Sequence, residues 1–136
     1  GVRRFFIEAG GDIQAQTGQG RRWRVGIRNP FNRKEIVKAV EIADQGVATS
    51  GTYIRGRHIY NPLSGNRVDE IVSLTVIGPN IFEADRFATA AFAMGKQGIE
   101  FIESLKGLEG YQIDKNGRAK ETSGFGQYVI GPETHA

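Results

Sequence analysis

A carboxylate and a hydroxyl lie four positions apart in a segment that otherwise has the apolar pattern of a buried helix. They belong to Asp85 and Thr89, within residues 81–95. Positions i and i+4 share one face of an α-helix, so the two oxygens could bind one hard cation such as Mg²⁺. The alternative is structural: a first-turn carboxylate favoured by the helix dipole, and a hydroxyl bonded back to its own helix backbone. The pair alone leaves both interpretations open.

Two turns upstream of this segment could contact a ligand. Gly10 and Gly11 would let the backbone approach a ligand closely, and Asp12 could accept a hydrogen bond from a sugar or a base. Residues 49–53, Thr-Ser-Gly-Thr-Tyr, combine hydroxyls, backbone donors and an aromatic ring, which would suit a phosphate or a flat ring. Both stretches can also be ordinary turns.

One histidine, His58, lies outside the C-terminal residues. It is the imidazole best placed to act as a general base near neutral pH. A lone histidine on a strand is often structural, so its chemistry depends on what surrounds it.

The order of the predicted elements defines the fold class. Alternating apolar residues and turn signals predict strands at residues 2–7, 23–27, 37–43, 47–49, 53–59 and 68–77, then helices at 81–94 and 97–106. Asn116-Gly117 predicts a hairpin turn between two further short strands. We therefore expect one α+β domain over residues 1–136, with two consecutive helices packed on a mostly antiparallel sheet, followed by a short hairpin.

Composition limits the remaining possibilities. The 136 residues are 39% hydrophobic and 24% charged, as in soluble globular proteins, and no apolar run approaches the ~20 residues of a membrane span. Without cysteine, a bound metal would need oxygen or imidazole ligands. The net charge of +3 combines +6 over residues 1–60 with −3 over residues 61–136, and the basic part could face a phosphate-bearing ligand or simply solvent. Nucleic acid is not an expected partner, because Trp23 stands alone among the clustered arginines.

Six segments, taken together and in order, resemble the ApbE family, the FAD:protein FMN transferases, over about residues 5–114. They are Glu-Ala-Gly-Gly-Asp-Ile (8–13), Trp-Arg-Val-Gly-Ile-Arg-Asn-Pro (23–30), Val-Ala-Thr-Ser-Gly-Thr-Tyr (47–53), His-Ile-Tyr-Asn-Pro-Leu-Ser-Gly (58–65), Ser-Leu-Thr-Val-Ile (73–77) and Ala-Asp-Arg-Phe-Ala-Thr-Ala (84–90).

The resemblance implies a Mg²⁺-dependent enzyme that transfers FMN from FAD to a Thr or Ser of a target flavoprotein and releases AMP. A post-translational flavinylation of this kind makes FAD a substrate and the acceptor flavoprotein a partner. Two alternatives remain open: an FAD pyrophosphatase that gives FMN and AMP, and a non-catalytic flavin-binding module when this chain is isolated.

The resemblance also implies roles for individual residues. Asp85 and Thr89 would ligate Mg²⁺, with close backbone approach near Ala88, and His58 would be the base for the acceptor hydroxyl. The flavin nucleotide would be lined by Gly10, Gly11, Asp12, Ser50, Gly51, Tyr53 and Ile59.

Two departures from the family pattern affect these expectations. The family usually has Asp where this chain has Asn61, which removes a charge close to His58, and often Asn where it has Glu8.

Family members also carry an upstream half with further FAD contacts. We therefore expect residues 1–136 to be the C-terminal portion of a longer protein, with that half as a partner. The parent is expected in the bacterial cell envelope or periplasm, and any membrane attachment would come from an N-terminal anchor outside this sequence.

Overall fold

A six-stranded antiparallel sheet forms the centre of the molecule. The computed structural model describes residues 5–9, 12–17, 20, 22–51 and 71–130. The sheet has the strand order β1-β2-β5-β6-β7-β8, and β3 and β4 form a separate two-stranded sheet. The strands are β1 (Phe5–Ala9), β2 (Asp12–Gln16), β3 (Trp23–Asn29), β4 (Asn32–Ile42), β5 (Gly46–Gly51), β6 (Ile71–Gly78), β7 (Glu109–Asp114) and β8 (Ala119–Glu121).

Two α-helices cover one face of the large sheet. The helix α1 (Ile81–Ala93) begins where the Asn80 side chain accepts a hydrogen bond from the Glu83 N–H at 2.9 Å, as an N-cap residue does. A 3₁₀ turn (Gly95–Gln97) then leads into α2 (Gly98–Glu103). The alanines of α1 let its backbone lie close to the strands, and they join the core on this face. That core contains Ala48, Ile71, Leu74, Val76, Ala84, Ala88, Ala91, Phe92, Ile99, Ile102 and Leu108.

The β3–β4 hairpin covers the opposite face. Val25 and Ile27 point inward from β3, whereas Arg24 and Arg28 alternate with them and are exposed. A second core forms between the hairpin and the sheet, with Ile13, Ala15, Val25, Ile27, Val40, Ile42, Val47, Ile77, Tyr111, Ile113 and Phe125. The sheet is therefore buried on both faces, with helices on one side and a hairpin on the other.

The turn between β7 and β8 follows the prediction from Asn116-Gly117. Gly117 has φ of 82°, which only glycine adopts without strain. The loop has three residues between paired positions, because Asp114 N–H donates to Arg118 O at 2.9 Å. Asp114 Oδ1 accepts from the N–H groups of Asn116 and Arg118. These two bonds, with that from Arg118 first, hold the pKa of the Asp114 carboxyl below its ordinary value, and burial opposes the shift.

The predicted fold class is confirmed: the sheet is antiparallel, the helices are consecutive, and a short hairpin follows. Some predicted bounds were too short or too long. β4 begins at Asn32 rather than residue 37, since pairing with β3 extends it through exposed polar residues. The second helix divides into a 3₁₀ turn and a six-residue helix that ends at Glu103 rather than residue 106. The predicted strand at 53–59 lies outside the described residues. Among the helices that the structure describes, none is long and apolar enough to cross a membrane.

Candidate functional site

The helix α1 runs along β5 and brings a sheet hydroxyl to a helix hydroxyl. At its start, the Ile81 N–H donates to Gln14 Oε1 of β2 at 2.8 Å. Two turns further on, Thr89 Oγ1 lies 3.5 Å from Ser50 Oγ of β5. Ser50 and Thr89 were predicted from different segments, as a flavin-site residue and a metal ligand, and the fold brings them into contact.

The carboxylate of the predicted pair lies between these two contacts. Asp85 is one turn before Thr89 and one turn after Ile81, so it shares the face of α1 that carries both. Its side chain is partly buried, like that of Thr89. Ser50, Asp85 and Thr89 therefore supply oxygen atoms along one flank of α1.

Asp12 belongs to the same side of the sheet. It is two residues from Gln14 on β2, and side chains two apart in a strand point to one face. On the neighbouring strand, β5, Gly46 pairs with Gln14 in the antiparallel ladder. Gly46 is where α1 approaches most closely: a Cβ built there would lie 2.2 Å from the Ile81 nitrogen. Only glycine permits this contact, so Gly46 sets the position of the helix over the sheet.

Ala88 occupies a different environment from its neighbours. It is fully buried in the core between α1 and the sheet. Its side chain has no ligand atom, so the backbone carbonyl oxygen is the only group that it could offer to a cation. Its assignment to the metal site stays a prediction.

The remaining predicted residues lie outside the described residues. They are Gly10, Gly11, Tyr53, His58 and Ile59. Gly51 is described: it ends β5 directly after Ser50 and pairs with Ser73 of β6. The chain thus enters the segment that contains His58 immediately beside the Ser50–Thr89 contact.

The oxygen donors on this flank are compatible with Mg²⁺. Carboxylate and hydroxyl oxygens are hard ligands, and Mg²⁺ keeps several waters and typically uses one or two carboxylates together with substrate phosphates. Within the described ranges no three His, Cys, Asp or Glu side chains group closely enough to hold a metal ion. Asp85 and Thr89 would therefore need ligand oxygens from a substrate or from other parts of the protein.

A second cleft on the hairpin side of the sheet is too small for a flavin. Its volume is about 110 Å³, against roughly 300–1,000 Å³ for typical ligand pockets. The Thr49 and Thr75 hydroxyls meet there at 2.8 Å and satisfy each other. Of the predicted site residues that the structure describes, none lines this cleft.

Sequence reasoning missed Gln14, which holds the start of α1 against β2. The alternation of Asp12-Ile13-Gln14-Ala15-Gln16 contained the signal, because it places a row of polar side chains on one strand face. The partner of that face could not be identified before the position of α1 was known.

Fold and site together define a class of protein: an α+β domain in which side-chain oxygens of a strand and a helix meet. The sequence model described as the ApbE family matches residues 1–112. The chain therefore belongs to the ApbE family.

Relatives and solved structures agree with this assignment. The chain is 32% identical over 134 residues to the FAD:protein FMN transferase of Klebsiella pneumoniae (strain 342) and 31% identical to that of Escherichia coli K12. Each match covers 90% of this chain and 38% of the relative. The flavin transferase ApbE from Vibrio cholerae superimposes with a TM-score of 0.74 at 28% identity, covering 93% of this chain and 45% of that one. The apo flavinyl transferase ApbE from Pseudomonas stutzeri superimposes with a TM-score of 0.75 at 26% identity, covering 96% of this chain and 42% of that one. The chain thus spans less than half the length of these relatives.

Proposed function

We propose that the protein containing this chain transfers FMN from FAD to a Thr or Ser hydroxyl of a target flavoprotein and releases AMP. The observation that carries the proposal is the meeting of Ser50 with Thr89, one helical turn from Asp85, in a chain of the ApbE family. Transfer of FMN from FAD to protein is the activity in the printed names of its relatives.

The proposed reaction is a phosphoryl-group substitution. The acceptor hydroxyl oxygen forms a bond to the phosphorus of the FMN half of FAD, and the bond from that phosphorus to the bridging oxygen breaks. AMP leaves with the bridging oxygen and its electron pair. The hydroxyl proton passes to His58, the proposed base. Protein groups mainly position the reactants in reactions of this kind.

Asp85 and Thr89 are the proposed ligands of Mg²⁺. A cation bound there would offset the negative charge of the FAD pyrophosphate and favour departure of AMP. Ser50 would orient the Thr89 hydroxyl from the sheet side. Asp12 and Gly51, with Gly10, Gly11, Tyr53 and Ile59, would approach the nucleotide. Location in the cell envelope belongs to the same proposal.

The test is a transfer assay on the full-length protein with an acceptor flavoprotein, read by intact mass and by AMP release. We expect FMN to appear on the acceptor in a 1:1 ratio with AMP. AMP production without acceptor labelling would instead indicate the pyrophosphatase. Neither product under saturating FAD and Mg²⁺ would contradict both activities.

The role of His58 needs a separate measurement. His58→Ala should slow transfer far more than it weakens FAD binding, because a base acts only as the proton leaves. An equal loss of binding and transfer would make His58 a binding residue.

A further inference from the structure

A separate, larger cleft lies at the β8 edge of the sheet, between the 3₁₀ turn, α2 and the β7–β8 hairpin. Its volume is about 500 Å³, within the size range of pockets that bind small organic molecules. Gln112 and Lys120, paired across β7 and β8, line it from the sheet. Lys96 lines it from the 3₁₀ turn and Arg118 from the end of the hairpin turn. It shares no lining residue with the Ser50, Asp85 and Thr89 site.

Gln112 is the unexplained group in this cleft. The residue is 5% exposed. Its Oε1 atom is buried and, among the residues that the structure describes, has no hydrogen-bond partner. Buried polar atoms in native proteins are nearly always paired, so an orphaned acceptor that lines a cleft indicates a missing donor.

The cations around Gln112 determine what kind of donor fits. Lys96, Arg118 and Lys120 line the cleft together with the carboxylates of Glu100 and Asp114. Asp114 accepts hydrogen bonds from the turn N–H groups, and its carboxylate interacts electrostatically with Lys96 and Arg118. Glu100 meets Lys120 at 3.4 Å through two largely exposed side chains, a contact that contributes little. Because the three cations outnumber the two carboxylates, the cleft keeps a net positive charge.

We propose that this cleft binds a hydroxylated phosphate monoester, such as a sugar phosphate. A ligand hydroxyl would donate to Gln112 Oε1, and the phosphate oxygens would accept from Arg118 and the lysines. An ammonium donor fits less well, because the cations that line the cleft outnumber its carboxylates. The planar guanidinium of Arg118 suits two phosphate oxygens at once.

The test uses the full-length protein and two phosphate monoesters, of which only one carries hydroxyl groups. Glycerol 3-phosphate carries hydroxyl donors, whereas methyl phosphate at pH 8 carries the charge without a hydroxyl. By calorimetric titration, we expect glycerol 3-phosphate to bind at least five-fold more tightly. The preference should persist with saturating FAD and Mg²⁺, because the two sites are separate. Equal affinities for the two probes, or loss of binding when FAD is present, would overturn the proposal.

Three variants test whether Gln112 causes the preference for glycerol 3-phosphate over methyl phosphate. Gln112→Leu should reduce the affinity for glycerol 3-phosphate to that for methyl phosphate, and it should keep or raise the melting temperature without ligand. Lys120→Gln should weaken both probes by the same factor. Gln127→Leu removes an exposed amide elsewhere and should leave the preference unchanged. If folded Gln112→Leu still prefers glycerol 3-phosphate over methyl phosphate, the proposal is contradicted.

A more conservative variant keeps the test decisive if Gln112→Leu fails to fold. Gln112→Glu preserves the shape of the side chain and places a carboxylate beside Lys120. It should abolish binding of both phosphates through charge repulsion. Retained binding of glycerol 3-phosphate in this variant would overturn the proposal.

Discussion

The two faces of the central sheet use the same chemical group in opposite ways. On the hairpin side, the Thr49 and Thr75 hydroxyls face each other across β5 and β6 at 2.8 Å, a good hydrogen bond within the sheet. On the helix side, the next residue along β5, Ser50, meets Thr89 at 3.5 Å, the outer limit of such a bond. The first pair stabilises the sheet, whereas the second belongs to a row of oxygens beside Asp85. Side chains alternate between the two faces along a strand, so the neighbours Thr49 and Ser50 point to opposite sides of the sheet. This alternation makes one hydroxyl structural and the other a candidate ligand.

The largest expected effect tests whether the close contact at Gly46 is needed for α1 to pack on the sheet. Gly46→Ala would place Cβ against backbone atoms of Asn80 and Ile81, which cannot rotate away as a side chain can. We expect a loss of about 3 kcal/mol in the free energy of unfolding, at the upper end for overpacking, measured in urea. Gly126→Ala is the control, because its nearest neighbour there would be 4.0 Å away. Similar stabilities for the two variants would contradict this packing.

Thr75→Val tests the structural hydroxyl pair. Thr75 is fully buried, so losing its hydroxyl leaves Thr49 without this partner and should cost about 1–3 kcal/mol. The double variant Thr49→Val/Thr75→Val should recover much of that loss, since neither hydroxyl then remains. A double variant whose loss is the sum of the two single losses would show that the hydroxyls do not act as a pair.

Ser50→Ala makes the same change on the other face. Because the Ser50–Thr89 contact is long, its removal should cost less than about 1 kcal/mol in stability. We expect a clear weakening of Mg²⁺-dependent FAD binding in the full-length protein, measured by flavin fluorescence. If Ser50→Ala lowers stability as much as Thr75→Val and leaves FAD binding intact, the distinction between the faces is wrong.

A smaller effect concerns pH, and stability should respond to Tyr111 on the hairpin side and to Asp114 in the β7–β8 turn in opposite directions. Tyr111 packs on the hairpin side, where burial first and Glu121 second raise the pKa of its hydroxyl. Its contribution to stability is present at neutral pH and is lost as pH rises through that raised pKa. The pKa of Asp114 is lowered by its turn bonds, so its contribution is lost as pH falls.

Melting curves of two variants measure these contributions. Tyr111→Phe should flatten the loss of stability above pH 10, and Asp114→Asn should be less stable than the parent at pH 7 but equal to it near pH 2. An Asp114→Asn difference that persists unchanged in acid would mean that the charge on the carboxylate is not what stabilises the turn.

Much of the fold could be predicted from sequence because local signals agreed with tertiary packing. The apolar stripe of α1 and the glycine turn at Gly117 each identified their element. The extent of β4 could not be predicted, since its outer part is polar and is held by pairing with β3 rather than by burial. The β3–β4 hairpin packs across the sheet through contacts between residues far apart in sequence, which local patterns do not indicate.

The candidate site was predicted in pieces. Helical spacing placed Asp85 and Thr89 on one face, but the meeting of Thr89 with Ser50 depends on how α1 lies over β5. Gly46 and Gln14 set that position, and neither was a candidate from sequence. That Gln112 Oε1 is buried without a hydrogen-bond partner among the described residues could not be inferred either. The sequence does not show whether a glutamine on a strand finds a partner.

The most direct test of the central claim is a titration of the full-length protein with FAD, with and without Mg²⁺, for the parent and two variants. Asp85→Ala removes the proposed ligand, and Glu83→Ala removes a carboxylate of the same helix that pairs with Arg86 instead. We predict saturable, Mg²⁺-dependent quenching of flavin fluorescence in the parent and in Glu83→Ala, and its loss in Asp85→Ala with an unchanged fold. The same Mg²⁺ dependence in Asp85→Ala would contradict the proposed metal site.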